Sequence, residues 1–215
     1  MTDELARFTT LQVGGPAWRV VEATTRDELI AAALEAWGTG DEWLVLGGGS
    51  NVVIADEGFE GTVVRVLTRG IERRAPVDGP GQQRIRVEAG EPWDAVVAYA
   101  VENGLAGIEA LSGIPGSAGA APIQNIGAYG QELGETLVAV DFLDFDSGEV
   151  ARLTAAELEL DYRTSALKQG RRGVVLSVEL LLASDESLSL PIAYDQLARA
   201  LGVAEGDRAP LVAVR

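Results

Sequence analysis

Three stretches of the chain combine residue types that could do chemistry. In Leu44-Val-Leu-Gly-Gly-Gly-Ser-Asn51 an apolar run empties into consecutive glycines. Glycine allows positive φ and close approach of a ligand to the backbone, and successive N–H groups then form a nest for an anion without any basic side chain. The loop lacks the third glycine of a dinucleotide fingerprint and the Gly-Lys-Ser/Thr of a P-loop. A tight turn between two strands is the alternative. In Ile114-Pro-Gly-Ser-Ala-Gly-Ala-Ala-Pro-Ile-Gln-Asn-Ile-Gly-Ala-Tyr-Gly130 small residues would admit a flat ligand. Gln124 and Asn125 offer donors and acceptors for the edge of a heterocycle, and Tyr129 adds a hydroxyl. A buried crossover, in which small residues merely fit, is the other reading. In Asp161-Tyr-Arg-Thr-Ser-Ala-Leu-Lys168 the planar fork of Arg163 suits a carboxylate or a developing oxyanion, with a surface ion pair as the plainer alternative.

Composition narrows the chemistry further. The 215 residues contain no His and no Cys, which excludes His-activated Ser or Cys nucleophiles, zinc on imidazole and thiolate ligands, and disulfides. Lys168 is the only Lys, so Schiff-base chemistry would have to sit there. Carboxylates, Tyr, Ser, Arg or a borrowed cofactor remain, and no metal site is expected. The formal charge of −16 argues against a nucleic-acid surface. Any phosphate must be held locally, by backbone N–H groups or a few Arg. Residues 1–10 carry charges and no apolar run, and no stretch approaches the ~18 apolar residues of a membrane span. The expectation is a soluble cytoplasmic protein without a membrane partner; no oligomer is implied.

These stretches need elements to position them. Trp18 to Ala23 predicts a strand, and Thr25 with Glu28 a capping box opening a helix whose Leu29, Ile30, Ala33, Leu34 and Trp37 share a face, with Gly38 as its stop. Strands are expected at Trp43–Leu46, Val52–Ile54 and Thr62–Leu67. Residues 69–81 read as a connector or exposed hairpin, and Arg84–Ala89 as a strand with Ile85 and Val87 on one face. Pro92 opens a helix carrying Trp93, Val96, Val97, Ala100 and Val101, ended by Asn103-Gly104. A long aperiodic segment, Gly107 to Gly134, marks function rather than disorder, because it keeps Ile108, Leu111, Ile114, Ile123 and Ile126. Beyond it, Leu137–Asp144 and Glu149–Leu153 predict a hairpin around Ser147-Gly148, Thr154 with Glu157 a second capping box and short helix, Val174–Leu182 a strand, and Gln196–Leu201 a helix. The Trp residues at 18, 37, 43 and 93 read as packing. The sum is an α+β fold in two units, 1–67 and 68–215.

Taken together, the chain resembles the UDP-N-acetylenolpyruvoylglucosamine reductases. Four blocks carry the resemblance: Thr10-Leu-Gln-Val-Gly-Gly-Pro-Ala17, Leu46-Gly-Gly-Gly-Ser-Asn51, Ile114-Pro-Gly through Gln124-Asn-Ile-Gly-Ala-Tyr-Gly130, and Tyr162-Arg-Thr-Ser165 with Lys168. The resemblance implies a two-part FAD-binding fold of the vanillyl-alcohol oxidase type (a PCMH-type FAD-binding domain). It implies FAD held by Gly47, Gly48, Gly49, Ser50, Asn51 and Val52 on one side and by Ile114, Pro115, Gly116, Ala120, Ala121, Gln124, Asn125 and Gly127 on the other. NADPH reduces the flavin in that family, and hydride then passes to the enolpyruvyl double bond of a UDP-sugar, giving UDP-N-acetylmuramate for peptidoglycan. Arg163 would steady the substrate carboxylate and the enolate-like intermediate, and Tyr129 and Tyr194 would contact substrate.

The departures carry expectations too. Ala120 and Ala121 stand where some relatives have Ser, and Thr164 and Leu167 where some have Asp and Phe. Family enzymes add a further domain with a proton-donating Ser in a Gly-Ser-Phe-Phe-like motif and a late Glu; neither motif occurs in these residues. The resemblance therefore implies the FAD-binding part of such a reductase, inactive without its proton donor. A stand-alone FAD- or nucleotide-binding module is the alternative.

Overall fold

The computed structural model describes residues 4–75, 81–184 and 187–215. In chain order the elements are β1 (Ala17–Ala23), α1 (Arg26–Gly38), β2 (Glu42–Leu46), β3 (Phe59–Val66), β4 (Ile71–Arg74), β5 (Gln82–Glu88), α2 (Trp93–Glu102), β6 (Leu105–Ala106), β7 (Gly127–Ala128), β8 (Gln131–Glu132), β9 (Leu137–Asp144), β10 (Val150–Thr154), β11 (Gly173–Ser184), α3 (Asp195–Leu201) and α4 (Leu211–Val214). A three-stranded parallel sheet has the order β1-β3-β2, and an antiparallel sheet has the order β10-β9-β11-β5-β4 with β6 paired to β11. The α+β class is as expected. Among the described residues no helix is long and apolar enough to cross a membrane.

The start of α1 follows from its sequence. Glu28 N–H donates to the Thr25 hydroxyl, while the Glu28 carboxylate accepts from the Thr25 amide, so both halves of the capping box form. Gly38 is its last residue, and the left-handed glycine lies two further on, at Gly40 (φ +77°). Leu29, Ala32, Ala33 and Ala36 pack on Val64 and Val66 of the small sheet and on Leu143, Val174 and Leu176 of the large one. This shared core joins the two sheets. Helix α2 starts after Pro92, ends at Asn103 and a left-handed Gly104, and buries Trp93, Val96, Val97 and Ala100 against Ile85, Val87, Val140 and Phe142.

Strand β11 serves both cores because its alternation is broken once. Val174 and Leu176 face α1 while Val175 faces α2; a register shift between Val175 and Ser177 then turns Val178, Leu180 and Leu182 to the α2 side. A one-residue bulge exchanges the two faces of a strand.

Three expectations are corrected. Val52–Ile54 forms no strand: the segment joins neither open edge of the small sheet, and the next strand, β3, begins only at Phe59. Its alternation comes from packing instead, with Val52 and Ile54 against the small core and Val53 outward. The Thr154–Glu157 box closes through both its hydrogen bonds, but residues 155–159 are a turn, stopped by a left-handed Glu159 (φ +48°). Trp18 is 67% exposed rather than packed, since Ala17 takes the inward position of edge strand β1. The segment read as a connector holds β4, which pairs with β5 as a hairpin; residues 76–80 of it lie outside the described residues.

Candidate functional site

Strand β2 delivers Leu46 to the core and releases the chain into Gly47–Asn51. The loop lies where side chains do not fit. At Gly49 (φ +66°) a Cβ would stand 1.8 Å from the Phe8 carbonyl oxygen, at Gly48 3.0 Å from Gly116 Cα, and at Gly47 2.5 Å from Ser117 Oγ. The amide of Thr10 donates to the Gly49 carbonyl, fixing the loop from beneath. Two glycine segments distant in sequence thus meet backbone to backbone.

The opposite wall is a 3₁₀ run, Ala118–Gln124, tied to the large sheet by Ala118 N–H to Glu91 O and Gly119 N–H to Ala89 O at 2.8 Å. Asn51 Nδ2 donates to Gln124 Oε1 at 3.2 Å, linking the walls through side chains. Between them lies a cleft of about 210 Å³ bordered by all of Gly47 to Val52 and by Pro115, Gly116, Ala120, Ala121 and Gln124. Past Ala120 it continues into a mostly apolar cavity of about 320 Å³ between the sheets, where Trp43, Ile123 and Arg172 form part of the wall. Trp43 stacks on Phe145 with centroids 5.5 Å apart, and the Arg172 guanidinium lies 3.8 Å over the Phe145 ring.

A larger, more open cavity of about 780 Å³ begins where the cleft ends, with Pro115 bordering both. Ile114, Gly127, Tyr129, Arg163 and Tyr194 line it. Arg163 is left-handed (φ +53°), its Nη2 donates to Gly127 O at 2.6 Å, and Lys168 Nζ donates to the Arg163 carbonyl at 2.8 Å. The one Lys therefore holds the backbone of the Arg. Tyr129, also left-handed (φ +50°), meets Tyr194 edge-on with centroids 5.8 Å apart. Non-glycine residues in this region cost energy and persist where the surroundings over-determine them, often at working sites.

Asn125 borders neither cavity. It is 2% exposed and left-handed (φ +43°), and its amide donates to Glu132 Oε2 and Asp161 O and accepts from Gly134 N–H. Its side chain is spent on joining the second constellation to the third. Upstream, the Asp94 carboxylate accepts from Gly113 N–H and the Ser112 hydroxyl, which, with nearby Arg215, hold its carboxyl below the usual range and fix the entry to the segment. The sequence reading passed over Ser117, buried and bordering both the cleft and the apolar cavity, because one Ser between Gly and Ala gives no periodic or charge signal. It also took Trp43 as packing alone.

This chain matches known proteins over most of its length. A family model described as an FAD binding domain covers residues 17–154. The UDP-N-acetylenolpyruvoylglucosamine reductase of Leifsonia xyli is 60% identical over 97% of this chain, and that of Salinispora arenicola 52% identical over 98%. The chain spans 57% of the length of each of these relatives. The crystal structure of the Thermus caldophilus enzyme superposes with a TM-score of 0.67 at 34% identity, covering 86% of this chain and 62% of that one. A VAO-type flavoprotein from Myceliophthora thermophila shares the fold at TM-score 0.59 and 15% identity, over 79% of this chain and 32% of its own. The chain belongs to the FAD binding domain family, with the two-part fold of VAO-type flavoproteins, and resembles the FAD-binding part of UDP-N-acetylenolpyruvoylglucosamine reductases.

Proposed function

We propose that the chain is the FAD-binding part of an NADPH-dependent reductase that converts UDP-N-acetylenolpyruvoylglucosamine to UDP-N-acetylmuramate in peptidoglycan synthesis. The observation that carries this reading is the adjacency, across Pro115, of a bare-backbone cleft and a cavity presenting Arg163. The residues fit FAD: the Gly47–Gly49 backbone offers a nest for a diphosphate, with Gly49 admitting no Cβ and Gly48 only a crowded one, and the apolar cavity beside Trp43 suits a flat ring. Gly47–Val52, Ile114–Gly116, Ala120, Ala121, Gln124 and Gly127 would hold it. Bound there, FAD would supply hydride transfer between NADPH and the enolpyruvyl double bond.

The protein supplies position and charge. Arg163, anchored through Gly127 O and Lys168, presents a permanent cation with parallel donors to the substrate carboxylate and to the enolate-like charge that grows on it. Tyr129 and Tyr194 form an aromatic wall beside that position. Asn125 acts as a positioning residue, keeping the Gly134 and Asp161 backbones together. These 215 residues contain no Gly-Ser-Phe-Phe motif to protonate the product carbon, so the chain alone lets NADPH reduce bound flavin slowly and turns over negligible enolpyruvyl substrate. We place it in the cytoplasm.

A visible absorption spectrum tests the reading. Purified or FAD-reconstituted protein shows two flavin bands that NADPH bleaches without oxygen. Protein that retains no FAD after desalting refutes it.

A further inference from the structure

Beneath the contact between Gly47-Gly48 and Gly116-Ser117 lies another cavity, of about 390 Å³, whose three arginines have no part in the proposed reaction. Arg7, Arg65 and Arg69 line it, and no Asp or Glu does. In a chain with 33 acidic and 17 basic residues, a concave surface with only cations is a strong local departure. Thr9, Thr10 and Ser117 supply the polar remainder.

Two of the three arginines stand apart from the ion pairs that engage most others. Among the described residues neither Arg7 nor Arg69 has a carboxylate partner; Arg69 Nη1 donates only to the neighbouring Thr68 carbonyl, at 3.3 Å. Arg65 is pinned: it pairs with Glu22, its guanidinium lies 3.8 Å over the Phe8 ring, and its Nε is buried without a hydrogen-bond partner. A buried donor left unpaired is costly, so the fold keeps this cation in place at a loss. A fixed guanidinium flanked by two exposed ones, over hydroxyls and glycine backbone, matches a polyanion that accepts forked hydrogen bonds from several sides.

We propose that this cavity is a second anion site, for a small phosphorylated ligand carrying two or more negative charges, on the far side of the Gly47-Gly48 and Gly116-Ser117 wall that it shares with the FAD cleft. It goes beyond the proposed reaction and does not depend on it. A phosphate-bearing occupant could be a free metabolite or the diphosphate of FAD itself, and the proposal commits to the former.

Calorimetric titration with inorganic pyrophosphate, on the FAD-loaded protein or on the chain as purified if it takes no FAD, provides the test. One pyrophosphate binds per chain, and the double variant Arg7→Glu with Arg69→Glu weakens it at least about tenfold. Arg199→Glu, which removes a remote exposed cation on α3, leaves binding unchanged, and FAD affinity is the same in all three proteins. The proposal is overturned by absence of binding, by equal loss in Arg199→Glu, or by loss of pyrophosphate binding on FAD loading. It is equally overturned if the double variant loses FAD affinity in parallel, because the arginines then belong to the cofactor's own diphosphate.

Discussion

Arg163 shows what one residue contributes beyond its charge. Its guanidinium is aimed by two bonds, to Gly127 O and, through its carbonyl, from Lys168, so Arg163→Lys would keep the cation but lose the fork. On the proposed function, Arg163→Ala in a full-length reductase lowers reduction of the enolpyruvyl substrate by about 10²–10³-fold, the usual loss when a charge-stabilising donor is removed. Arg163→Lys recovers only part, and FAD affinity and the rate of reduction by NADPH stay as they were. Stopped-flow measurement of the two half-reactions checks this; equal slowing of both would make Arg163 a structural residue. The role proposed for this residue comes from the resemblance of its motif, since a Tyr-Arg pair by itself reads equally as a surface ion pair. Gln124 and Asn125 were less legible. They are adjacent and chemically alike, yet Gln124 borders the cleft while Asn125 turns inward at a left-handed φ of +43°, and backbone handedness is not written in a side-chain type.

At the scale of elements, the glycine loop depends on what crosses it. Gly49 is left-handed and a Cβ there would lie 1.8 Å from a backbone oxygen of the Phe8 turn, so neither neighbour can yield by a rotamer change. Gly49→Ala therefore costs about 1–2 kcal/mol for handedness alone, with the clash added, and lowers Tm by at least about 3–6 °C; wild-type Tm in that variant would mean the Phe8 turn is not seated as described. The large sheet offers an opposite case. Beyond the bulge in β11, its outward face carries Ser177 and Glu179 into a lattice with Arg84, Arg86, Arg152 and Asp141. At the end of the lattice one carboxylate oxygen of Glu88 is buried without a partner. Burial pushes the Glu88 carboxyl above the ordinary carboxylate range, with Arg86 and Arg26 opposing. The folded chain then binds this proton more tightly than the unfolded chain does. Stability from this group rises as pH falls through the folded value, and the gain is complete below the unfolded value of about 4.3. Glu88→Gln mimics the protonated form and stabilises the fold near pH 7 by about 1 kcal/mol, or about 2–4 °C, the advantage shrinking toward pH 4. Thermal melts of both proteins at the two pH values check it; a less stable variant at pH 7 would show that attraction to Arg86 and Arg26 outweighs burial. The period-two pattern revealed β5, β9 and β11, but not the register shift that splits β11 between two cores. The same pattern over Val52–Ile54 and the box at Thr154 misled because each is a local signal whose outcome depends on a distant partner, a ladder in one case and a continuing apolar face in the other.

Across the whole molecule, two sheets share the core around α1 and meet again through Asn51–Gln124 and the 3₁₀ wall, so a ligand in the cleft touches parts brought together only by folding. A ligand bound to the folded state alone stabilises by about 2.7 kcal/mol at a hundredfold excess over Kd, which for a chain of this size raises Tm by about 5–10 °C. The net charge adds a sign that separates modes of binding. At −16 the long-range field repels an anionic dinucleotide, while the nest of backbone N–H groups proposed for Gly47–Gly49 would hold its diphosphate at short range, where salt screens little. Raising ionic strength therefore relieves repulsion and leaves attraction, so FAD associates faster as salt increases from about 50 to 300 mM. Pyrophosphate at the Arg7, Arg65 and Arg69 cavity behaves in the opposite sense, because its attraction comes from exposed guanidiniums that the same salt screens. Stopped-flow quenching of Trp fluorescence, with Trp43 on the wall of the apolar cavity as the reporter, measures the first, and calorimetry at the same two salt concentrations the second. FAD association that slows with salt would mean that cationic side chains, and not the Gly47–Gly49 backbone, draw the cofactor in.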